Sequence, residues 1–210
     1  MYIPEFNRIE DRLTALAFMR ANPFAILVSD RDDGPFATHL PVAMQESNGP
    51  LLIRAHVAKA NLHWKLFEQE RQPDSLVIFH GAHAYISPAL YENRESVPTW
   101  NYATVHAYGR GRLLLDTDTK KIEVLNALIA SFDESYAAQW NSLRDEYRSR
   151  MLSHIVAFEI EVTRLEAKFK LSQNRTKPEQ ESIIQSLGAA SDSTVSGVAR
   201  LMRQRGLGTR

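Results

Sequence analysis

Residues 97–109, VPTWNYATVHAYG, gather an unusual density of hydrogen-bonding aromatics. Trp100, Asn101 and Tyr102 follow Pro98, and His106 and Tyr108 then recur at period two, the spacing of one strand face. Such rings serve either as filler at a strand entrance or as the wall of a cleft for something that is not protein. A second chemically rich stretch is LLIRAHVAKANLHWK. On a strand, Arg54 and His56 share one face, Lys59 falls in the turn, and the free N–H groups of the next helix begin near Asn61. A cation beside a helix start can take a phosphate, because the orphan donors and the dipole add to its charge. The same pattern also describes a solvated strand face followed by an ordinary capped helix.

The remaining motifs mostly exclude chemistry. Histidines stand at 39, 56, 63, 80, 83, 106 and 154. His80 and His83 form a pair suited to zinc, but no third ligand sits at metal-like spacing and Gly81 interrupts the element, so hydrogen-bonded structural or cofactor-facing roles are favoured and no metal is expected. The chain has no cysteine, which removes disulfides, thiolate metal sites and thiol nucleophiles. No G-x-S-x-G elbow, G-x-G-x-x-G loop or Walker A loop occurs. Lysine plus arginine (25) equals aspartate plus glutamate (25). A sequence-independent nucleic-acid binder needs a positive excess, so global charge gives DNA binding no support. The C-terminal Arg200, Arg203, Arg205 and Arg210 either touch phosphates or a partner, or decorate a solvated helix that frays at Gly206. No helix-turn-helix accompanies them.

The elements that must position these groups are legible as patterns. NRIEDRLTALAFMRANP reads as a helix with Ile9, Leu13, Leu16 and Ala17 at helical spacing, capped by Asn7 with Glu10. FAILVSD, FATHLPVAM and LLIRAH read as strands separated by the turns RDDGP and SNGP. NLHWKLFEQE is a short helix with Asn61 as N-cap and Leu62, Leu66 and Phe67 inward. SLVIFHG, AYISP and YATVHAYGRGRLLL follow as strands, then a helix over TDTKKIEVLNALIASFDESY with Ile122, Leu125, Leu128, Ile129, Phe132 and Tyr136 apolar. HIVAFEIEVTRLEAKFKLS supplies one or two strands, and Thr176 with Glu179 makes a capping box for a helix ending at Gly188. Hairpin links between six or seven strands argue for a closed antiparallel barrel. No run of about 18 apolar residues and no basic-then-apolar leader is present, so a cytoplasmic protein without a membrane span is expected.

Six stretches in order, MYIPEF, ATHLPV, HVAKANLHWK, HGAHAYISPALYE, VPTWNYATVHAYG and FKLSQNR, together resemble the PaiB family of FMN-binding negative transcriptional regulators. The resemblance runs from Met1 to about Arg175. It implies a mainly β protein with helices: a split β-barrel of the FMN-binding type over residues 1–175 and a C-terminal helical extension over 176–210. It implies a homodimer with FMN at the subunit interface. By the same resemblance Thr38, His39 and Leu40 line the flavin and ribityl region, and His56, Lys59 and Asn61 hold the phosphate. His83, Tyr85, Trp100 and Asn101 approach the isoalloxazine, and Gln173 and Arg175 reach the cofactor of the same or the partner subunit. Negative regulation, through DNA or a partner protein, is the implied function. The fold likeness also fits an FMN-dependent oxidoreductase or flavin reductase using NAD(P)H, with His83 and Arg175 as polarising groups. Haem binding by the several histidines is a third reading.

Overall fold

The computed structural model describes residues 1–46, 49–68, 74–114 and 118–209. Seven strands form one sheet: β1 (Phe24–Ser29), β2 (Phe36–Pro41), β3 (Ala43–Gln45), β4 (Leu52–Ala58), β5 (Ser75–Ile86), β6 (Thr99–Leu113) and β7 (Ile155–Lys170). Their order is β2-β1-β5-β6-β7-β4-β3. Six α-helices accompany them among the described residues: α1 (Arg12–Ala21), α2 (Asp118–Phe132), α3 (Ala137–Ser142), α4 (Asp145–Leu152), α5 (Lys177–Gly188) and α6 (Ser193–Gln204). The chain divides into two compact units, Met19–Phe79 with His106–Leu165, and Met1–Phe18 with His80–Val105 and Glu166–Arg210. Strands β5, β6 and β7 run through both.

In the first of these units, alternation sets the faces. Ile53, Ala55 and Val57 of β4 turn inward while Leu52, Arg54 and His56 turn the other way. The outward face is covered by α2, whose Val124 and Leu128 pack on Ala43 and Ala157. The ladder is open, with β2 and β3 as its end strands, so the closed barrel expected from the hairpins is not formed. Only Val42 separates those two strands, which places their near ends within about 7 Å. The sheet therefore curls until its edges meet at that residue. Pro41 has no N–H to extend the pairing, and Val42 N–H donates to Pro23 O at 2.9 Å. The result is a split barrel with its seam at Pro41-Val42.

Several expected elements shift. SLVIFHG and AYISP are one strand, because Gly81 continues β5 without a break. HIVAFEIEVTRLEAKFK is a single strand. The segment after Asn61 is a 3-10 helix (Leu62–Glu68) in which His63, Leu66 and Phe67 are buried and Leu62 is exposed; the last two expected helical residues, 69 and 70, lie outside the described residues, as does the start of the SNGP turn. α2 begins at Asp118, and the final leucine of the run before it, at 115, also lies outside them. Only Val124 and Leu128 of α2 are buried, and Phe132 is exposed.

In the second unit, the cap of α1 is Asp11, whose Oδ2 accepts Thr14 N–H at 3.0 Å; Asn7 instead lies buried in a 3-10 turn. Leu13 is exposed and Leu16 is buried. The Thr176–Glu179 capping box forms as expected. α6 does not fray as a solvated end. Val198, Ala199 and Met202 are fully buried, Gly206 takes φ 69°, and Gly208 N–H donates to Gln180 Oε1 of α5 at 3.0 Å. Arg200, Arg203 and Arg205 are exposed, and residue 210 lies outside the described residues.

Candidate functional site

A buried hydrogen-bonded chain underlies Thr38 and Asn61. Asn61 Oδ1 accepts His63 N–H at 3.1 Å, which starts the 3-10 turn, and Asn61 Nδ2 donates to Thr38 Oγ1 at 3.2 Å. The turn swings the His63 ring inward, where it is only 1% exposed. Its Nδ1 lies 2.9 Å from Thr38 Oγ1 and its Nε2 lies 2.9 Å from Ser29 Oγ. Ser29 Oγ in turn sits 2.6 Å from Ser75 Oγ. The rings of Phe36 and Phe67 flank the imidazole at 5.2 and 5.9 Å. Burial lowers the pKa of His63 to about 4, so the ring is neutral near neutral pH.

The other expected residues of this unit divide by face. Thr38, His39 and Leu40 lie on β2, an end strand that pairs with β1 along one edge, so its other edge keeps backbone donors and acceptors outside the ladder. The His39 side chain is exposed beside Phe24, with ring centroids 6.4 Å apart. Leu40 is 3% exposed and packs in the core, so what it offers a ligand is backbone. Lys59 is exposed in the turn, its N–H donating to His154 O at 2.8 Å and its carbonyl accepting Trp64 Nε1–H at 3.0 Å. His56 stands opposite Ala157 and so shares the face beneath α2. Its Nδ1 is buried with no partner among the described residues, and burial lowers its pKa. On the same face burial pushes the Glu159 pKa up, but hydrogen bonds from Arg112 and Arg54 outweigh this and hold it low. Arg54 is thereby committed to a carboxylate.

The second unit carries a cleft of about 320 Å³ lined by His83, Ala84, Tyr85, Trp100, Asp192, Thr194 and Val195. Its aromatic wall is open: Trp100 is 53% and Tyr85 50% exposed. The Tyr85 and Trp100 rings meet nearly edge-on, at 6.1 Å and 73°, and His83 tilts against Trp100 at 6.2 Å. His83 Nδ1 lies 3.1 Å from His80 Nε2 and 3.2 Å from Gly81 O. Burial, and then the neighbouring His83, lower the pKa of His80. Across the cleft, Asp192 caps α6 by accepting Thr194 N–H at 2.7 Å, and that bond first holds its pKa low. Behind the wall, Lys170 Nζ donates to Trp100 O at 2.7 Å and also to Thr99 Oγ1, with its pKa lowered by burial and then by Lys168.

Asn101 does not join this wall. It alternates to the opposite side of β6 from Trp100 and is fully buried, its Nδ2 donating to Ser172 Oγ at 2.9 Å and its Oδ1 accepting from the same hydroxyl at 3.1 Å. Ser172 is the one non-glycine residue with positive φ (61°) among the described residues. Its carbonyl accepts Arg175 N–H and Gln180 Nε2–H, at 3.0 and 3.2 Å. This turn places the last two expected residues. Gln173 closes on its own backbone, accepting Leu171 N–H at 2.7 Å and donating to Phe169 O. Arg175 stacks over the Tyr91 ring at 3.7 Å, with Nη1 4.0 Å from Glu179 Oε1. Asn101 is therefore sealed from the cleft, and the half-buried Gln173 has its amide committed to its own backbone.

The structure thus joins Thr38 with Asn61, and His83 with Tyr85 and Trp100. It adds groups that the sequence reading passed over: His63, Ser29 and Ser75, Lys170, Ser172, and the cap of α6. The histidine in Asn-Leu-His was the available signal, since a ring two residues after an Asn cap can turn back toward that cap. Among the described residues no group of histidines and carboxylates is arranged to hold a metal, and no helix is long and apolar enough to cross a membrane.

The fold and the sequence both have known relatives. Residues 1–164 match the family described as "Putative FMN-binding domain". The Bacillus subtilis protein named "Protease synthase and sporulation protein PAI 2" is 32% identical over 207 residues, covering 98% of each chain. Among solved structures, the FAD and heme binding protein of Mycobacterium smegmatis aligns with a TM-score of 0.59 at 16% identity, over 78% of this chain and 73% of that one. The flavocytochrome Anf3 of Azotobacter vinelandii aligns with a TM-score of 0.57 at 16% identity, over 80% and 72%. These two likenesses are of fold. With a split barrel, a family match across most of the chain and a full-length relative above 30% identity, the chain belongs to the PaiB-like family of FMN-binding-domain proteins.

Proposed function

We propose that this protein is a dimeric, FMN-binding negative regulator of transcription. The observation that carries the reading is the 32% identity with PAI 2 over 98% of both chains, which leaves little of either outside the shared fold. The residues present fit the cofactor. An anionic phosphate ester suits the exposed Lys59 and the Thr38–Asn61 pair, whereas His56, its Nδ1 buried on the face beneath α2, stands apart from them. A planar ring system suits the exposed Trp100 and Tyr85 faces, with His83 at their side. When bound, FMN supplies a redox-active ring whose state could be read as a signal. The chain's own groups hold the phosphate and offer the free edge of β2 along the cofactor; the aromatic face of the other unit is by itself suited to a flavin ring.

Zero net charge favours regulation through a partner protein over direct reading of DNA. The test pairs deletion of the gene with complementation. Loss of the protein should raise the transcripts of a defined gene set, and a Lys59→Ala/Asn61→Ala variant should fail to restore them. The purified protein should co-elute with FMN as a dimer and show no mobility shift of DNA at low salt. Unchanged transcripts, together with FMN-dependent NADH or NADPH oxidation in vitro, would replace this reading with an oxidoreductase.

A further inference from the structure

We propose that His63 is a positioning residue for the cofactor phosphate: its imidazole carries the proton on Nδ1 and donates to Thr38 Oγ1, leaving the Thr38 hydroxyl hydrogen to donate to a phosphate oxygen. This rests on the reading above that FMN is the cofactor and that its phosphate lies against Thr38, Lys59 and Asn61. The direction of the hydrogen-bonded chain follows from counting protons. Ser75 is buried, and among the described residues its Oγ has no partner other than Ser29 Oγ. If Ser29 donated to Ser75, the Ser75 O–H would be left buried without an acceptor, which is costly. Ser75 therefore donates to Ser29. The Ser29 O–H, also buried, then donates to His63 Nε2, its other partner.

A neutral imidazole whose Nε2 accepts must carry its proton on Nδ1. That N–H faces Thr38 Oγ1 at 2.9 Å, and Asn61 Nδ2 donates to the same oxygen at 3.2 Å. A hydroxyl oxygen has two acceptor sites. Both are filled from inside the protein, so the remaining group on Thr38 is its O–H donor. Burial keeps His63 neutral near neutral pH, which preserves Nε2 as an acceptor. Thr38 is half-buried on the end strand β2, where a ligand can reach it. The opposite tautomer would turn the Thr38 hydrogen inward and face an anion with an oxygen lone pair.

Two measurements decide the matter. The first needs no cofactor: ¹⁵N–¹H correlations of the His63 ring in the free protein should place the proton on Nδ1, and a proton on Nε2 overturns the proposal. The second titrates FMN and riboflavin against wild type, Thr38→Val, Thr38→Ser, His63→Gln and His63→Asn. Thr38→Val and His63→Gln should lose roughly tenfold in FMN affinity, the scale of one hydrogen bond to a charged group. Their riboflavin affinity should be unchanged. Thr38→Ser, which keeps the hydroxyl, and His63→Asn, whose amide can replace Nδ1–H, should stay close to wild type. Equal losses for riboflavin and FMN would put the contact elsewhere than the phosphate and overturn the proposal. Wild-type FMN binding with unaltered affinity in Thr38→Val would overturn it alone. A wild type that retains no FMN would overturn both it and the cofactor reading beneath it.

Discussion

Ser172 stores backbone strain that Asn101 locks in place, and the two contributions can be separated by substitution. At φ 61° a residue with a Cβ pays roughly 1–2 kcal/mol relative to its preferred backbone. Ser172→Ala keeps that cost and removes the hydroxyl, leaving the fully buried Asn101 amide without its partner. An unsatisfied buried polar group costs about 1–3 kcal/mol. Ser172→Gly loses the same hydroxyl but relieves the strain, and about 0.5–1 kcal/mol of that relief is returned as extra chain entropy. Both variants should therefore be less stable than wild type, with glycine above alanine by about 0.5–1 kcal/mol. In thermal melts that difference is roughly 1–4 °C for a chain of this size. Urea denaturation with a shared m-value is the sharper assay. An Asn101→Ala/Ser172→Ala double variant should cost clearly less than the sum of its singles, because they remove one interaction. Glycine at or below alanine, or strict additivity in the double variant, would refute the locked turn.

Three further outcomes are expected. His63 is held at about 4, below its ordinary 6.5, so between those values the unfolded chain binds the extra proton. Its contribution to stability is full above about pH 6.5 and falls as pH drops toward about 4, by up to about 1.4 kcal/mol per unit; His63→Asn should flatten that slope in urea midpoints measured against pH. Trp100→Ala, at an exposed ring, should change stability by no more than roughly 0.5 kcal/mol, yet weaken FMN binding severalfold and reduce the quenching of protein fluorescence by FMN. Gly109→Ala should be worse than Gly111→Ala in the same denaturation assay. A Cβ at 109 would stand 2.1 Å from the backbone carbonyl of Glu161, whereas at 111 it would meet the buried Phe67 ring at 2.2 Å, and a side chain yields at lower cost than a paired backbone carbonyl.

The sequence by itself determined the alternating faces of the strand around Arg54 and His56, the capping box that opens α5, and which motifs are absent. These are local properties. Alternation through Ile53, Ala55 and Val57 is written in neighbouring positions, and so is the capping box of Thr176 and Glu179. Motif order carried family membership, since six stretches preserve the places where backbone and ligand constraints meet. Only the tertiary structure decided what those faces touch. Asn101 and Trp100 are adjacent in sequence, yet one is sealed against Ser172 and the other opens onto a cleft completed by the start of α6. His63 looked like an ordinary member of a short helix until a 3-10 turn aimed it at Ser29 and Thr38. The open ladder depends on pairing between segments far apart in the chain, as does the docking of α6 on α5. Period and composition encode a residue's own surroundings along the backbone. Its partner across space is set by the global packing that satisfies all the buried groups together.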